Sequence, residues 1–264
     1  MDRFGTYSLR LLTIAALTVA ASFMSSPAIA QEVDCLKCHA GLLKNKPVVH
    51  AAVQMGCSAC HTGIADALKV PHKKTTTFAK GLSADQPELC YGCHDKAKFT
   101  RSVVHPALQM GCTACHDPHA SNKAKLLAAD VPGQCGSCHD KAEFTRKNVH
   151  PPVAGGMCLS CHDPHSSPQS GMLVKPHVEL CGECHDQVVH KPHAIAGFTQ
   201  SGHPIGQIRK DPKGKPLPLL EDPKRPGKPF TCASCHNPHS SDNRKLFRYP
   251  ARSSMDLCMN CHPY

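Results

Sequence analysis

One five-residue pattern, Cys-x-x-Cys-His, occurs nine times in the 264-residue chain and uses all 18 of its cysteines. The cysteine pairs of these motifs, numbered 1 to 9 in chain order, are Cys35 and Cys38, Cys57 and Cys60, Cys90 and Cys93, Cys112 and Cys115, Cys135 and Cys138, Cys158 and Cys161, Cys181 and Cys184, Cys232 and Cys235, and Cys258 and Cys261. The histidines that complete them are His39, His61, His94, His116, His139, His162, His185, His236 and His262. No thiol remains for a disulfide, a nucleophile or a separate metal site.

Two cysteines separated by two residues and followed at once by histidine are typical of c-type haem attachment. The two thiols add to the two vinyl groups of one porphyrin, and the adjacent imidazole becomes the proximal ligand of the iron. The sequence therefore predicts nine covalently attached c-type haems. Cys-x-x-Cys pairs also occur in zinc sites, but the histidine after every pair favours haem.

The motifs recur in pairs with a period near 45 residues, which indicates an array of one supersecondary unit. We predict units at residues 35–89, 90–134, 135–180 and 181–257, followed by a closing motif at 258–264. Together they form one nonahaem domain over residues 31–264. The first unit is irregular, and the fourth is stretched by a basic, proline-rich insertion at residues 207–229.

The composition argues against an ordinary globular core, because the chain has no Trp and contains 23 Pro and 18 Gly. A chain of this composition buries too little apolar surface to offset the conformational entropy lost on folding. We predict a mostly irregular fold with short α-helices and little or no sheet, a repeat-like array organised around nine stacked haems. Short helices are expected at 83–89 and 254–257, where capping residues lead into a motif, and at 96–101 and 141–146.

Eleven of the 20 histidines lie outside the motifs, and eight of them recur at fixed places in the units. His50, His105, His150 and His203 precede the second motif of a unit, and His72, His119, His165 and His239 follow it. We expect these eight to be distal iron ligands. His177, His190 and His193 are the candidates for a ninth, and His193 is favoured because its Lys-Pro-His context resembles the Pro-His placement of His119 and His165. Which haem receives which distal histidine does not follow from the sequence.

Methionine is the competing distal ligand, and Met55, Met110 and Met157 recur just before a motif. Each is close to its own motif, and the histidines suffice. We therefore expect these methionines to pack against porphyrins.

The first 30 residues resemble a cleaved secretory signal peptide. Arg3 and Arg10 precede a mostly apolar run at residues 11–24, and Ala28-Ile29-Ala30 forms a small-x-small cleavage site. A membrane anchor is the alternative, but the run is short for a spanning helix. The mature chain is expected to begin at Gln31, to have no transmembrane helix and to be exported to the periplasm.

The formal net charge of +10 does not indicate nucleic-acid binding. Each haem brings two propionates, so the basic side chains are interpreted mainly as their partners. The insertion at 207–229 has two interpretations. A solvated loop that covers one haem edge is favoured, and a docking strip for an acidic redox partner is the alternative.

Gly202-His203-Pro204 and the residues from Cys232 to His239 and from Cys258 to His262 closely resemble the doubled CxxCH-motif multihaem cytochromes c, a family similar to the periplasmic decahaem c-type cytochromes of extracellular electron transfer. The resemblance covers nearly all of the mature chain, although the chain has nine motifs instead of ten. It implies stacked low-spin bis-histidine haems that act as a wire. It also implies redox protein donors and acceptors, with an outer-membrane porin–cytochrome complex among the candidate partners.

We therefore expect a periplasmic or outer-membrane-associated electron-transfer conduit of anaerobic respiration or extracellular electron transfer, and not an enzyme. The alternative is a multihaem reductase of a small nitrogen or sulfur oxyanion with one five-coordinate haem. No motif carries Lys in place of its proximal histidine, a variant found in the nitrite reductases that this alternative would resemble.

Protein produced without haem maturation should show little secondary structure by circular dichroism, because the porphyrins supply the missing core. A cooperatively folded haem-free form would contradict this prediction.

Overall fold

The computed structural model describes residues 34–190, 210–218 and 220–262. The chain divides into two units, residues 1–34 and 35–264, of which the second carries all nine motifs. The expected signal peptide at 1–30 lies outside the described residues, as do His193 and His203.

The described helices are short. The α-helices are α1 Leu36–His39, α2 Glu88–Tyr91, α3 Val131–Gly136, α4 Pro151–Ala154, α5 His177–Gly182, α6 Asp186–His190, α7 Cys232–Cys235 and α8 Ser254–Met259. The 3₁₀ helices are Ala40–Leu42, Ala51–Met55, Cys57–Ala59, Ala79–Gly81, Lys96–Lys98, Pro106–Met110, Cys112–Ala114, Ala124–Leu126, Lys141–Glu143, Cys158–Ser160, Ser170–Met172 and Arg244–Leu246. This confirms the prediction of a mostly irregular fold with short helices.

Each motif forms one tight turn by itself. In all nine, the backbone N–H of the histidine donates to the carbonyl of the first cysteine at 2.9–3.1 Å. Capping fixes where two of the turns begin: Thr231 and Ser234 form a capping box at α7, and Ser253 and Asp256 form another at α8. The local sequence therefore places both cysteines and the histidine of a motif on one turn.

The expected helices at 96–101 and 141–146 are shorter than predicted. Asp95 and Asp140 cap their starts, but only the 3₁₀ turns Lys96–Lys98 and Lys141–Glu143 form. A tertiary contact ends each turn, because the backbone N–H groups of Arg101 and Arg146 donate to serine hydroxyls of the next unit.

Three two-stranded antiparallel sheets join successive units. Their strands are β1 Val48–Val49, β2 Val103–Val104, β3 Ala120–Ser121, β4 Asn148–Val149, β5 Ser166–Ser167 and β6 Ser240–Ser241, paired as β1–β3, β2–β5 and β4–β6. In the first pair Val48 faces Ser121 and Val49 faces Ala120, and the same register recurs in the other two. In the part of the chain that the structure describes, the sheets therefore lie at the three junctions between units.

Small polar side chains fill these junctions. Among the described residues, the buried apolar side chains are Ala120 and Leu173, whereas Met55 and Leu68 are 67% and 80% exposed. Ser166 is fully buried, donates its hydroxyl to the Lys98 carbonyl at 2.9 Å and accepts the Arg101 N–H at 3.2 Å. The polypeptide therefore joins its units by hydrogen bonds and contributes little apolar core.

Across the described segments, none of the helices is both long enough and apolar enough to cross a bilayer.

Replacing Ser166 by Ala should lower the unfolding free energy of the haem-loaded protein by about 1–3 kcal/mol, because the buried Lys98 carbonyl and Arg101 N–H lose their partner. The measurement is the urea midpoint followed by circular dichroism. Ser170→Ala is the matched control, because Ser170 is exposed. Equal midpoints for the two variants would contradict the structural role of Ser166.

Candidate haem-binding site

Within residues 34–190, 210–218 and 220–262, seven motif histidines face a second histidine at nearly constant separation. The ring centroids are 6.0 Å apart for His39–His72, 6.1 Å for His50–His94, 6.1 Å for His61–His119, 6.0 Å for His105–His139, 6.0 Å for His116–His165, 6.1 Å for His150–His185 and 5.8 Å for His162–His239. An imidazole–metal bond is about 2 Å long, so two imidazoles on opposite sides of one metal ion have centroids roughly 6 Å apart. The spacing therefore fits two axial ligands of a single iron.

The donor set fits haem better than zinc. A structural zinc ion takes four protein ligands, yet the described segments contain no cluster of three or more His, Cys, Asp or Glu side chains suited to a metal ion. Haem iron needs only two protein ligands, because the porphyrin provides the other four. None of the 18 cysteines forms a disulfide, so both thiols of every motif are chemically suited to thioether attachment.

Two rules describe six of the seven pairs. In the first, the histidine of a unit's second motif faces the histidine that follows the second motif of the next unit, as in His61–His119, His116–His165 and His162–His239. In the second, the histidine of a unit's first motif faces the histidine that precedes the second motif of the previous unit, as in His94–His50, His139–His105 and His185–His150. Each junction between units thus holds two histidine pairs and one strand pair.

The first unit departs from these rules. His39 faces His72 of its own unit, and His72 lies in the segment that replaces the Asp-Pro-His or Asn-Pro-His of the other units. The two remaining motif histidines are His236 and His262. The ring of His236 packs against Phe247, with centroids 5.1 Å apart.

Backbone carbonyls fix the orientation of the motif histidines. The Nδ1 atoms of His61, His116, His162 and His236 donate to the carbonyls of Lys80, Lys125, Gly171 and Lys245 at 2.8–2.9 Å. These four carbonyl residues have left-handed φ values of 53–68°. A left-handed residue turns its carbonyl towards the ring, and the bond assigns the proton to Nδ1, which leaves Nε2 for iron.

Sequence reasoning missed these carbonyl residues. A signal for them exists, because Lys125, Gly171 and Lys245 each lie nine residues after the motif histidine that they orient.

The histidines expected to be distal ligands are called distal-type histidines below. Those that precede a second motif are held in a similar way. The Nδ1 atoms of His50, His105 and His150 donate to the carbonyls of Pro118, Pro164 and Pro238 at 2.9–3.0 Å. Each of these prolines belongs to the Asp-Pro-His or Asn-Pro-His segment of the next unit. The proline of this three-residue segment therefore orients one distal-type histidine, and the histidine of the same segment is another.

Asp117 shows how that segment is built. Its Oδ1 accepts the His119 backbone N–H at 2.9 Å and lies 3.6 Å from His119 Nδ1, while its Oδ2 accepts Lys46 Nζ at 2.7 Å. Burial acts to raise the pKa of Asp117, but the Lys46 ammonium and the backbone N–H donors outweigh burial and the pKa is lowered. The carboxylate is therefore ionised at neutral pH.

Burial also lowers the pKa of the distal-type histidines His119, His150, His165 and His239. At His119 and His165 the neighbouring aspartate opposes this effect without reversing it. A lowered pKa keeps the imidazole neutral at neutral pH, which is the form that binds a metal.

The thiols show which motifs are neighbours. Burial and the Cys112 thiol raise the pKa of Cys90 to about 11, and Cys60 contributes to the same shift. Burial and Cys158 raise the pKa of Cys135, which Cys115 raises further. Motifs 2 to 6 therefore adjoin one another in chain order.

The same order continues to the last motif. Burial and Cys184 raise the pKa of Cys161, a hydrogen bond with Cys232 raises that of Cys181, and burial and Cys261 raise that of Cys235. Motifs 6, 7, 8 and 9 are therefore neighbours in sequence order as well.

The described part of the insertion is a loop, as predicted, with isolated bridges at Lys210–Pro216 and Glu221–Pro229. Asp222 is 2% exposed and accepts Arg225 Nε at 2.6 Å. Arg225 also donates from Nη2 to Ser234 Oγ, between the two cysteines of motif 8, at 3.4 Å. Burial acts to raise the pKa of Asp222, but Arg225 and Ser234 outweigh burial and the pKa is lowered. The loop is thus anchored beside motif 8.

Comparison with curated proteins gives a short match to a DnaJ protein homolog, XDJ1, of Saccharomyces cerevisiae. It is 30% identical over 76 residues, which is 29% of this chain and 15% of the yeast protein. The match spans so little of the yeast protein that it carries no argument about function.

The doubled CXXCH motif family matches the chain at residues 50–99, 105–144, 150–190 and 225–264. These four segments cover more than half of the chain and include the histidine pairs at all three junctions. The chain therefore belongs to the doubled CXXCH motif family and is a multihaem c-type cytochrome with covalently bound haem.

Proposed function

We propose that this protein is a nonahaem electron conduit, exported to the periplasm, that passes electrons between redox proteins in anaerobic respiration or extracellular electron transfer. The observation that carries the proposal is the set of seven histidine pairs with centroids 5.8–6.1 Å apart. Each pair supports bis-histidine ligation of one haem. The porphyrin would be attached to the cysteines of the motif that supplies one of the two histidines.

The two pairing rules also apply to one of the two remaining motif histidines. The second rule assigns His203 to His262, because His203 precedes the second motif of the fourth unit and His262 belongs to the motif that follows. The first rule would take a ligand for His236 from a histidine that follows the second motif of a fifth unit, and residues 258–264 hold one motif. We therefore assign to His236 one of His177, His190 and His193, with His193 favoured.

Bis-histidine ligation suits electron transfer. Two imidazoles on one iron leave no coordination position for a substrate, and they favour a lower reduction potential than histidine–methionine ligation. When bound, each haem supplies a one-electron Fe(III)/Fe(II) couple. The seven pairs therefore support a conduit and give no support to the reductase alternative.

The order of the motifs supports a path for the electrons. Thiols of motifs 2 to 9 lie near one another in chain order, which would make the haems attached to them neighbours in that order. We propose that electrons enter and leave near the two ends of this series, from redox protein donors to acceptors that include an outer-membrane porin–cytochrome complex.

The loop at 207–229 supports a covering role at motif 8, because the buried Asp222 is tied to Ser234. Its other acidic residues also bind backbone, since Asp211 accepts the N–H groups of Lys213 and Lys215. The lysine side chains of this loop remain exposed, which is compatible with a docking strip for an acidic partner.

Replacing His165 by Gly should convert about one ninth of the haem iron from low-spin to high-spin, because the iron opposite His116 loses its distal ligand. Electron paramagnetic resonance of the oxidised haem-loaded protein measures this change, and added imidazole should reverse it.

The matched control is Phe99→Leu, since Phe99 packs on the same ring at 4.9 Å without offering a ligand, and it should stay low-spin. An unchanged spectrum for His165→Gly would contradict the assignment. A substantial high-spin signal in the native protein would favour the reductase alternative.

A further inference from the structure

Two of the histidine pairs have nearly the same surroundings. His116 faces His165 at 6.0 Å and His162 faces His239 at 5.8 Å. Phe99 packs edge-on against His165 at 4.9 Å, and Phe144 packs edge-on against His239 at 5.2 Å. The serine after each distal-type histidine donates to a carbonyl of the preceding unit in both cases.

Charge differs at several equivalent positions of these two surroundings, including Asp163 against Asn237 and Lys98 against Glu143. Asp163 accepts the His165 backbone N–H at 3.0 Å, and Asn237 accepts the His239 backbone N–H at 3.1 Å. The Oδ1 atom of Asp163 lies 3.8 Å from His165 Nδ1. The position next to His239 therefore has the same hydrogen bond but an amide in place of a carboxylate.

The neighbouring arginines follow this difference. Arg101 donates to Asp163 Oδ2 at 3.1 Å. Arg146, at the equivalent place in the next unit, donates to Glu143 at 2.6 Å.

At 3.8 Å the Asp163 carboxylate is too far from His165 Nδ1 for a hydrogen bond, so its charge is what acts on a haem bound at this pair. A negative charge close to the iron would disfavour the added electron through the Coulomb interaction in a poorly screened environment. A neutral amide lacks this effect.

We propose that Asn237 raises the reduction potential of the haem at motif 6 above that of the haem at motif 4, so that an electron shared between these two haems favours motif 6. The proposal rests on the bis-histidine ligation proposed above. In the step concerned, one ferric iron accepts one electron and becomes ferrous, with no change in covalent bonds. Asn237 acts as a positioning and tuning residue through His239.

The second unit supports the comparison. Asp117 stands next to His119 as Asp163 stands next to His165, with its oxygen 3.6 Å from the ring nitrogen and Lys46 as its cation. Two units thus repeat the aspartate and the third replaces it.

The test compares Asn237→Asp with Asp163→Asn in the haem-loaded protein by anaerobic dithionite titration, followed by haem absorbance. In Asn237→Asp, the haem at motif 6 should become harder to reduce. About one ninth of the absorbance change should then appear at a lower potential, with a reduction equilibrium constant about tenfold smaller, which is about 59 mV for a one-electron couple. In Asp163→Asn, a similar fraction should shift in the opposite direction.

Two controls separate local charge from other effects. Lys213→Gln changes the net charge by the same amount on an exposed turn and should leave the titration unchanged. Asn237→Ala removes the hydrogen-bond acceptor without adding a charge. If it lowers the equilibrium constant as Asn237→Asp does, the charge mechanism is wrong.

Electron paramagnetic resonance of the same samples separates the two proposals. Unshifted titrations with all haems low-spin would overturn the tuning role of Asn237 and leave the conduit intact. Loss of low-spin haem in the native protein would instead count against the bis-histidine ligation on which the tuning proposal rests.

Discussion

Two imidazoles that face each other across about 6 Å, one from each of two successive units, are the contact on which this structure depends. The strands that accompany them are two residues long, which is too short to hold units together alone. The buried apolar side chains of the described residues are only Ala120 and Leu173. Iron ligation across the junction would therefore supply much of the stability, and haem loading and folding would be one coupled process.

The covalent pattern made part of this site predictable. The cysteines and the motif histidines follow from sequence because the attachment chemistry requires adjacent residues. The partner of each motif histidine could not be predicted, because the pairs join different units: His162 and His239, for example, are 77 residues apart. The carbonyl of Lys125 was missed for another reason, since its role depends on a left-handed backbone conformation that lysine rarely adopts.

The repeat also allows each haem environment to change separately. The hydrogen bond to the histidine backbone is kept at Asp117, Asp163 and Asn237, whereas the charge is kept at only the first two. A single substitution in a unit can thus alter one redox centre without disturbing the backbone that positions it. The first unit differs in another way, because His39 faces His72 of its own unit while all three junctions keep their shared histidine pairs.

The most direct measurement is a crystal structure of the haem-loaded protein with iron sites located by anomalous scattering. The account predicts nine iron atoms, seven of them between the histidine pairs described here, with six of those pairs drawn from two successive units. Irons whose two histidines come from the same unit at the three junctions would contradict it.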